Sequence, residues 1–365
     1  MGIKDYLKHL NQEEIFDIIE YDHVYIDCNY LIHFLIYKCM NDKDLYGKIC
    51  NFWSNLMKAI KIKSIVHLIY DGEYENDDVM GNPKLQTLII RYKDKVESDD
   101  YDKQVIKPGS LILNTFKYYL VDVIEKYKKI NKVKLDIIEN DDNVKGEADI
   151  KILNSIYNSN QDNICICSKD SDMILIAHSL AINKSIKIDV ITNFRPIQIV
   201  YIENFKKFNL DYVLIVFLLG NDYLPKISSV SYETIIKTYE NYIKYNKSII
   251  VNGNIIIKNL IEFITYFILI GSKKKIKFNY KNLDLNRFGI YINNLFWCLK
   301  HYKVITNDLN YIQEIIHKEE DVKLKNTINI LTQIIIKQKI ILIFTLYFVN
   351  ILYFCINSKA KYLKH

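Results

Sequence analysis

Four short apolar runs punctuate the first two hundred residues, each ending at or beside an acidic or turn residue. They are His23–Asp27 (HVYID), Ile65–Asp71 (IVHLIYD), Asn163–Ser168 (NICICS) and Ile186–Ile191 (IKIDVI). Their length and β-branched content predict strands buried on both faces of a parallel sheet. Between and after them, apolar residues at helical spacing predict helices over Tyr30–Cys39, Leu45–Ile60, Ile112–Lys128, Glu147–Tyr157, Asp172–Leu180 and Asp211–Gly220. Strand alternating with helix implies an α/β fold: a mostly parallel central sheet, helices on both faces and right-handed crossovers. Segments 72–83 and 96–109 read as loops. After about residue 230 the pattern is mainly helical, with no further strand ending in an acid. The expected division is therefore a sheet-bearing domain, 1–230, with a helical C-terminal region, 231–365, packed on it. No internal repeat is evident.

Composition changes this picture little. Half of the 365 residues are hydrophobic and a quarter charged, which fits a globular chain and excludes a disordered or fibrous one. Ile, Asn, Lys and Tyr are heavy, as an AT-rich genome would make them, so lysine or tyrosine abundance is no signature of a nucleic-acid binder. The net charge of +6 permits a polyanionic partner without demanding one. Seven cysteines lie scattered at 28, 39, 50, 165, 167, 298 and 355, with no Cys-x-x-Cys. An odd number without framework spacing argues against a secreted disulfide scaffold. Cys165 and Cys167 would share one face of a strand, where burial is a better reading than a zinc site. MGIKDYLKHL lacks the apolar core of a signal peptide. The expected compartment is intracellular, cytoplasmic rather than nuclear. Ile340–Ile356 is long enough to graze the lower limit for a membrane span, roughly 17 residues. Thr345 and Asn350 interrupt it, so a buried C-terminal helix is expected in preference to a membrane anchor.

The chemistry is carried by acids. Asp27 and Asp71 end the first two strands, and Asp170 and Asp172 follow the third in SKDSDMILIA. Glu147 and Asp149 open a helix in KGEADIKIL, and Asp222 stands in FLLGNDYLP. In open α/β sheets ligands bind outside the carboxyl ends of the strands, where these residues fall. Any one of them has a plain explanation: Asp27 or Asp172 would serve as the cap of the following helix. Seven carboxylates at one sheet edge would repel strongly unless a cation neutralised them. Hard oxygen donors select Mg²⁺ or Mn²⁺, and two such ions are the usual apparatus for phosphodiester hydrolysis. Gly72 and Gly146 lie beside acids, Gly220 one residue further off, and Pro225 closes the last motif. In a chain with only ten glycines, that clustering implies backbone turning tightly at the site.

In this order MGIKDYLKHL, YIDCNYLIH, IYDG, IKPGSLIL, KGEADIKILNSI, SKDSDMILIA and LLGNDYLP resemble the N-terminal nuclease region of the Xrn-type 5′→3′ exoribonucleases. Those enzymes belong to the wider flap-endonuclease-like 5′ nuclease superfamily. The resemblance covers roughly residues 1–230, with a fainter echo at Tyr291–Tyr302, and the chain looks like a minimal, viral version. It implies that Asp27, Asp71, Glu147, Asp149, Asp170, Asp172 and Asp222 form a catalytic cluster holding two Mg²⁺ or Mn²⁺ ions. The family usually has glutamate where Asp149 stands. Asn29 and His33 match positions near the scissile nucleotide, His33 with a catalytic role. Lys84 and Arg91, in PKLQTLIIRYKDK, match part of the family's 5′-phosphate pocket; a solvated helix face explains them equally well. The aromatic-rich stretch that follows in the family is missing after Trp297, so threading of RNA and processivity are not implied.

The expected activity is thus a metal-dependent 5′→3′ exoribonuclease on single-stranded, 5′-monophosphorylated RNA, monomeric and without a small-molecule cofactor. Two alternatives stand beside it. A structure-specific DNA 5′ nuclease would share the metal site, but Lys226–Tyr239 shows no Gly-x-Gly hairpin for gripping a duplex. A non-catalytic RNA-binding scaffold would gain stability by losing clustered charge, yet the carboxylates are intact.

Overall fold

Strands form here where β-branched side chains meet cover on two sides at once. The computed structural model describes residues 3, 6–72, 101, 106–140, 144–220, 231–256, 259–260, 262–263, 295 and 297–305. The chain divides into two compact units, Met1–Asn209 and Leu210–His365. In the first the order is β1 (Glu13–Glu14), β2 (Ile19–Asp27), α1 (Cys28–Ile36), α2 (Asp42–Ala59), β3 (Ile60–Ile69) and α3 (Leu111–Asn131). There follow β4 (Asp136–Asn140), α4 (Ala148–Asn158), β5 (Ile164–Cys167), α5 (Ser171–Lys184), β6 (Ile188–Phe194) and β7 (Ile197–Tyr201). A 3-10 helix, Ile202–Phe208, closes the unit.

These seven strands make one sheet in the order β1-β7-β6-β5-β2-β3-β4. From β4 to β6 all neighbours are parallel, and β7 and β1 extend the far edge antiparallel. The expected mostly parallel α/β sheet is therefore what forms. From β2 the chain winds outward through β3 to β4, then returns to lay β5 and β6 on the other side of β2. That reversal leaves a crevice between the carboxyl ends of β2 and β5.

One sheet face, with Val24, Ile26, Val66, Leu68, Cys165, Cys167 and Ile191, joins the core formed with α1, α2 and α3. The two β5 thiols share that face as expected, and every described cysteine is free. On α2, Leu45, Ile49, Phe52, Trp53 and Leu56 supply the apolar stripe, and Asn41 caps its start by accepting from the Asp44 N–H at 3.0 Å. The opposite sheet face meets α4: the Tyr25 hydroxyl lies 3.2 Å from Ser155 Oγ on that helix. Helix α5 is buried from Ser171 through Ala181, which explains why its sequence is apolar all round.

Several strands run beyond what periodicity showed. β3 begins at Ile60, directly after α2, because Ile60 and Ile62 turn inward while Lys61 and Lys63 turn out to meet Glu20 of β2 at 2.7 and 2.8 Å. Strands β1, β4 and β7 are absent from the expected list; β4 (DIIEN) is a largely exposed edge strand, with no apolar run to reveal it. In the second unit α6 (Asp211–Phe217) and α7 (Tyr232–Ile243) match the helical expectation. A hairpin of β8 (Ile250–Val251) and β9 (Asn254–Ile255) adds to it, turning on Asn252 and Gly253 at φ 51° and 72°. Asn-Gly is the dipeptide that such a two-residue turn favours, so this signal was present in the sequence and overlooked. Segment 340–356 lies outside the described residues. Among the described residues no helix is long and apolar enough to cross a membrane.

Asp211, fully buried, organises this second unit. Its carboxylate accepts from Tyr239 Oη at 2.5 Å and from the N–H groups of Ile249 and Ile250 at 2.8 and 2.6 Å. Asp211→Ala would leave three donors without that acceptor and should destabilise the unit by about 3–5 kcal/mol, read from chemical denaturation. An unchanged unfolding midpoint would contradict this role.

Two buried histidines give the first unit an acid limit. Burial lowers His178 and His67 from 6.5 to about 4, His23 adding to the effect on His67. The Nε2 of His178 lies 2.6 Å from the Asn209 carbonyl; since a carbonyl only accepts, that nitrogen carries the proton. Between about pH 6.5 and 4 these two histidines bind protons in the unfolded chain but not in the folded one, so their contribution to stability is full above this window and falls as pH drops through it. Replacing His178 by Leu should change that slope by about one proton, measured by denaturation at a series of pH values. A slope unaffected by the substitution would refute the assignment.

Candidate active site

The acids come from the carboxyl ends of four adjacent parallel strands. Asp27 is the last residue of β2, and Asp71 stands two residues past β3. Glu147 and Asp149 begin α4, which follows β4, and Asp170 and Asp172 begin α5, which follows β5. Since the sheet order there is β5-β2-β3-β4, the six carboxylates are laid out in a row, with strands roughly 4.8 Å apart.

Asp27 sits at the crevice and is 7% exposed. One oxygen accepts from the Tyr30 N–H at 3.0 Å and so caps α1; the other accepts from Ser168 Oγ at 2.9 Å. That second bond ties the end of β2 to the end of β5. Ser168 also accepts from the Asp170 N–H at 3.2 Å. Asp170 in turn caps α5, accepting from the Asp172 N–H at 3.1 Å. The cap of that helix is therefore Asp170, and Asp172 lies buried in its first turn. Burial above all, helped by negative Asp71 and Asp170 and opposed by the Tyr30 and Ser168 bonds, leaves the Asp27 carboxyl pushed up to about 7. Burial, then Asp27 and Asp170, raise the Tyr30 phenol to about 12.

Asp71 is fixed by both neighbouring elements. Asn29 donates to its Oδ2 at 2.9 Å and accepts from its N–H at 3.0 Å, while the Ala148 N–H of α4 donates to Oδ1 at 2.7 Å. The glycines explain how strand and helix come this close. The Gly72 N–H donates to the Gly146 carbonyl at 2.8 Å, and a Cβ on Gly72 would lie 1.8 Å from the Val144 carbonyl oxygen. Gly146, at φ +102°, occupies backbone that side chains rarely tolerate. Buried Lys151, one turn into α4, donates from Nζ to the Tyr70 carbonyl at 2.7 Å.

The structure thus brings Asp27, Asn29, Asp71 and Asp170 together and sets Glu147, Asp149 and Asp172 along the same edge. His33 is exposed on α1, and its cluster role stands on sequence alone. Asp222, Lys84 and Arg91 lie outside the described residues. Ser168, Tyr30 and Lys151 were missed by sequence reasoning. Ser168 is flagged only by its place between a strand end and two acids; Tyr30 and Lys151 carry no local signal.

The donor set, all carboxylate oxygen, has the chemistry that a hard divalent cation requires. In this arrangement no three acidic, histidine or cysteine side chains among the described residues stand close enough to enclose one ion. The hydrogen bonds named above place a donor on each carboxylate oxygen of Asp71 and Asp27, and an oxygen with two lone-pair sites can accept a hydrogen bond and ligate a cation at once. Ligation is open to them, and it would relieve the mutual repulsion felt at Asp27.

The chain resembles 5′-3′ exoribonuclease 1 of Saccharomyces cerevisiae, at 20% identity over 373 aligned residues that cover 81% of this chain and 24% of the yeast protein. It spans about a quarter of that relative's length. Two solved structures of the catalytic core of Rad2 in complex with DNA substrate align at 12% and 14% identity, with TM-scores of 0.35 and 0.37. They cover 82% and 84% of this chain, and 78% and 82% of their own. The family model of the XRN 5′-3′ exonuclease N-terminus matches residues 3–188, the stretch holding six of the seven acids, and the chain belongs to that family.

Proposed function

We propose that the chain is a Mg²⁺-dependent 5′→3′ exoribonuclease acting on single-stranded, 5′-monophosphorylated RNA. The observation that supports this most is the row of carboxylates along four adjacent strand ends, at the reversal point of the sheet, in a member of the XRN family. Asp27, Asp71, Glu147, Asp149, Asp170, Asp172 and Asp222 would hold two ions. When bound, the ions supply a water of lowered pKa and positive charge facing the attacking and leaving oxygens. The remaining work belongs to the chain. Asn29 and the Ala148 N–H orient Asp71, and Ser168 and the Tyr30 N–H orient Asp27. His33, exposed one turn along α1, would meet the nucleotide at the scissile bond. Lys84 and Arg91 would hold the 5′-phosphate.

The direct test compares matched RNA and DNA strands carrying 5′-phosphates, with and without Mg²⁺. RNA should shorten from its 5′ end only with the metal; DNA hydrolysed at least as fast would favour a DNA 5′ nuclease instead. Asp170→Asn and Asp172→Asn should each cut turnover by ~100-fold or more, about 2.7 kcal/mol of barrier. Asparagine is itself a good helix cap, so α5 should persist and RNA binding should remain measurable. A folded variant with native turnover at saturating Mg²⁺ would remove that residue from the site.

If Lys84 and Arg91 grip the terminal phosphate, 5′-monophosphate RNA should be degraded faster than 5′-hydroxyl or 5′-triphosphate RNA. Replacing both by alanine should flatten that preference and leave metal affinity as it was. Equal rates on all three ends in the unaltered protein would sink the idea.

A further inference from the structure

Lys151 is the buried cation of the acidic edge. It is 6% exposed, in a class of residue that is almost never buried unless paired. Its Nζ reaches the carbonyl of Tyr70, the residue that precedes Asp71. Its own helix begins with Glu147, four residues earlier on the same helix face, and Asp149, two residues earlier. A neutral carbonyl satisfies one of the three ammonium donors but does not balance a charge taken out of water. Glu147 on its own helix face and Asp71, next to its carbonyl partner, are the acids whose positions in the chain suit them to that balance.

We propose that Lys151 is a positioning residue with an electrostatic task. It pins the exit of β3 to α4, so that Asp71 stays against the Ala148 N–H, and its positive charge stands in for part of the cation in the metal-free protein. This rests on the proposed divalent-metal reading of the site and adds to it a residue that tunes metal affinity. A fixed positive charge beside the carboxylates lowers their attraction for a divalent ion. It also spares the empty edge from its own repulsion. The consequence is a trade: the metal-free fold is more stable, and the ion is held less tightly, than the carboxylates alone would dictate.

Two substitutions separate charge from scaffolding. Lys151→Met removes both the charge and the donor to Tyr70; Lys151→Gln removes the charge and keeps an N–H donor. Using the full chain, Mn²⁺ binding is followed by electron paramagnetic resonance, and thermal melting is followed with EDTA and with saturating Mg²⁺. Both variants should bind Mn²⁺ about tenfold more tightly than the native protein. Both should also melt lower in EDTA and show a larger Mg²⁺-induced rise in melting temperature. Should Lys151→Met fail to fold, Lys151→Gln alone decides. Native Mn²⁺ affinity in Lys151→Gln would overturn the electrostatic role and leave a strut. A native protein that binds Mn²⁺ while a folded variant binds it more weakly would overturn the proposal and spare the metal site. A native protein that neither binds Mn²⁺ nor melts higher in Mg²⁺ would overturn both.

Discussion

At the carboxyl end of β2 a carboxylate is held inside the protein by two donors from different parts of the chain. Asp27 takes the Tyr30 N–H from its own helix and the Ser168 hydroxyl from the end of β5, 141 residues away. An acid that is 7% exposed and pushed up to about 7 is not there for stability, since burial and two like-charged neighbours oppose it. What the pair of bonds achieves is geometric. It closes the ends of two strands that wind in opposite directions from the reversal point, and it leaves their acids side by side. Everything else at the edge is arranged around that junction.

The second junction, between β3 and α4, uses backbone where the first uses a side chain. Gly72 lies so close to residues 144–146 that no Cβ fits, and its N–H bonds the Gly146 carbonyl. Asp71, one residue earlier, is then near enough to accept from Ala148, and Lys151 locks the strand exit from the other side. The first ties two strand ends together beside Asp170, and the second ties a strand end to the helix that carries the next acids. The carboxylates are thereby fixed in a row before any cation is present. Capping bonds and the Ser168 hydroxyl hold that row in place.

In the second unit a buried aspartate serves the fold alone. Asp211 collects a phenol and two backbone N–H groups from α7 and the β8 strand region. The contrast with Asp27 is instructive. The donors at Asp211 all come from within one unit and serve its packing, whereas those at Asp27 and Asp71 tie the ends of separate strands and a helix together.

The residues by themselves determined much of the first unit. β-branched runs ending in acids identified β2, the buried part of β3, β5 and β6, because a strand covered on both faces must be apolar throughout. They also placed six acids at strand and helix ends, since a carboxylate following an apolar strand has only the sheet edge to occupy. Edge strands such as β4 were not legible, because one-sided cover demands no apolar run. Nor was the start of β3, where Lys61 and Lys63 find a partner, Glu20, only once β2 lies alongside. The order of strands, and with it the crevice between β2 and β5, is a property of long-range pairing that no local pattern encodes. The same holds for Ser168, Tyr30 and Lys151. A serine, a tyrosine and a lysine become parts of this edge only when tertiary packing sets Ser168 and Tyr30 against Asp27 and Lys151 against the strand exit before Asp71.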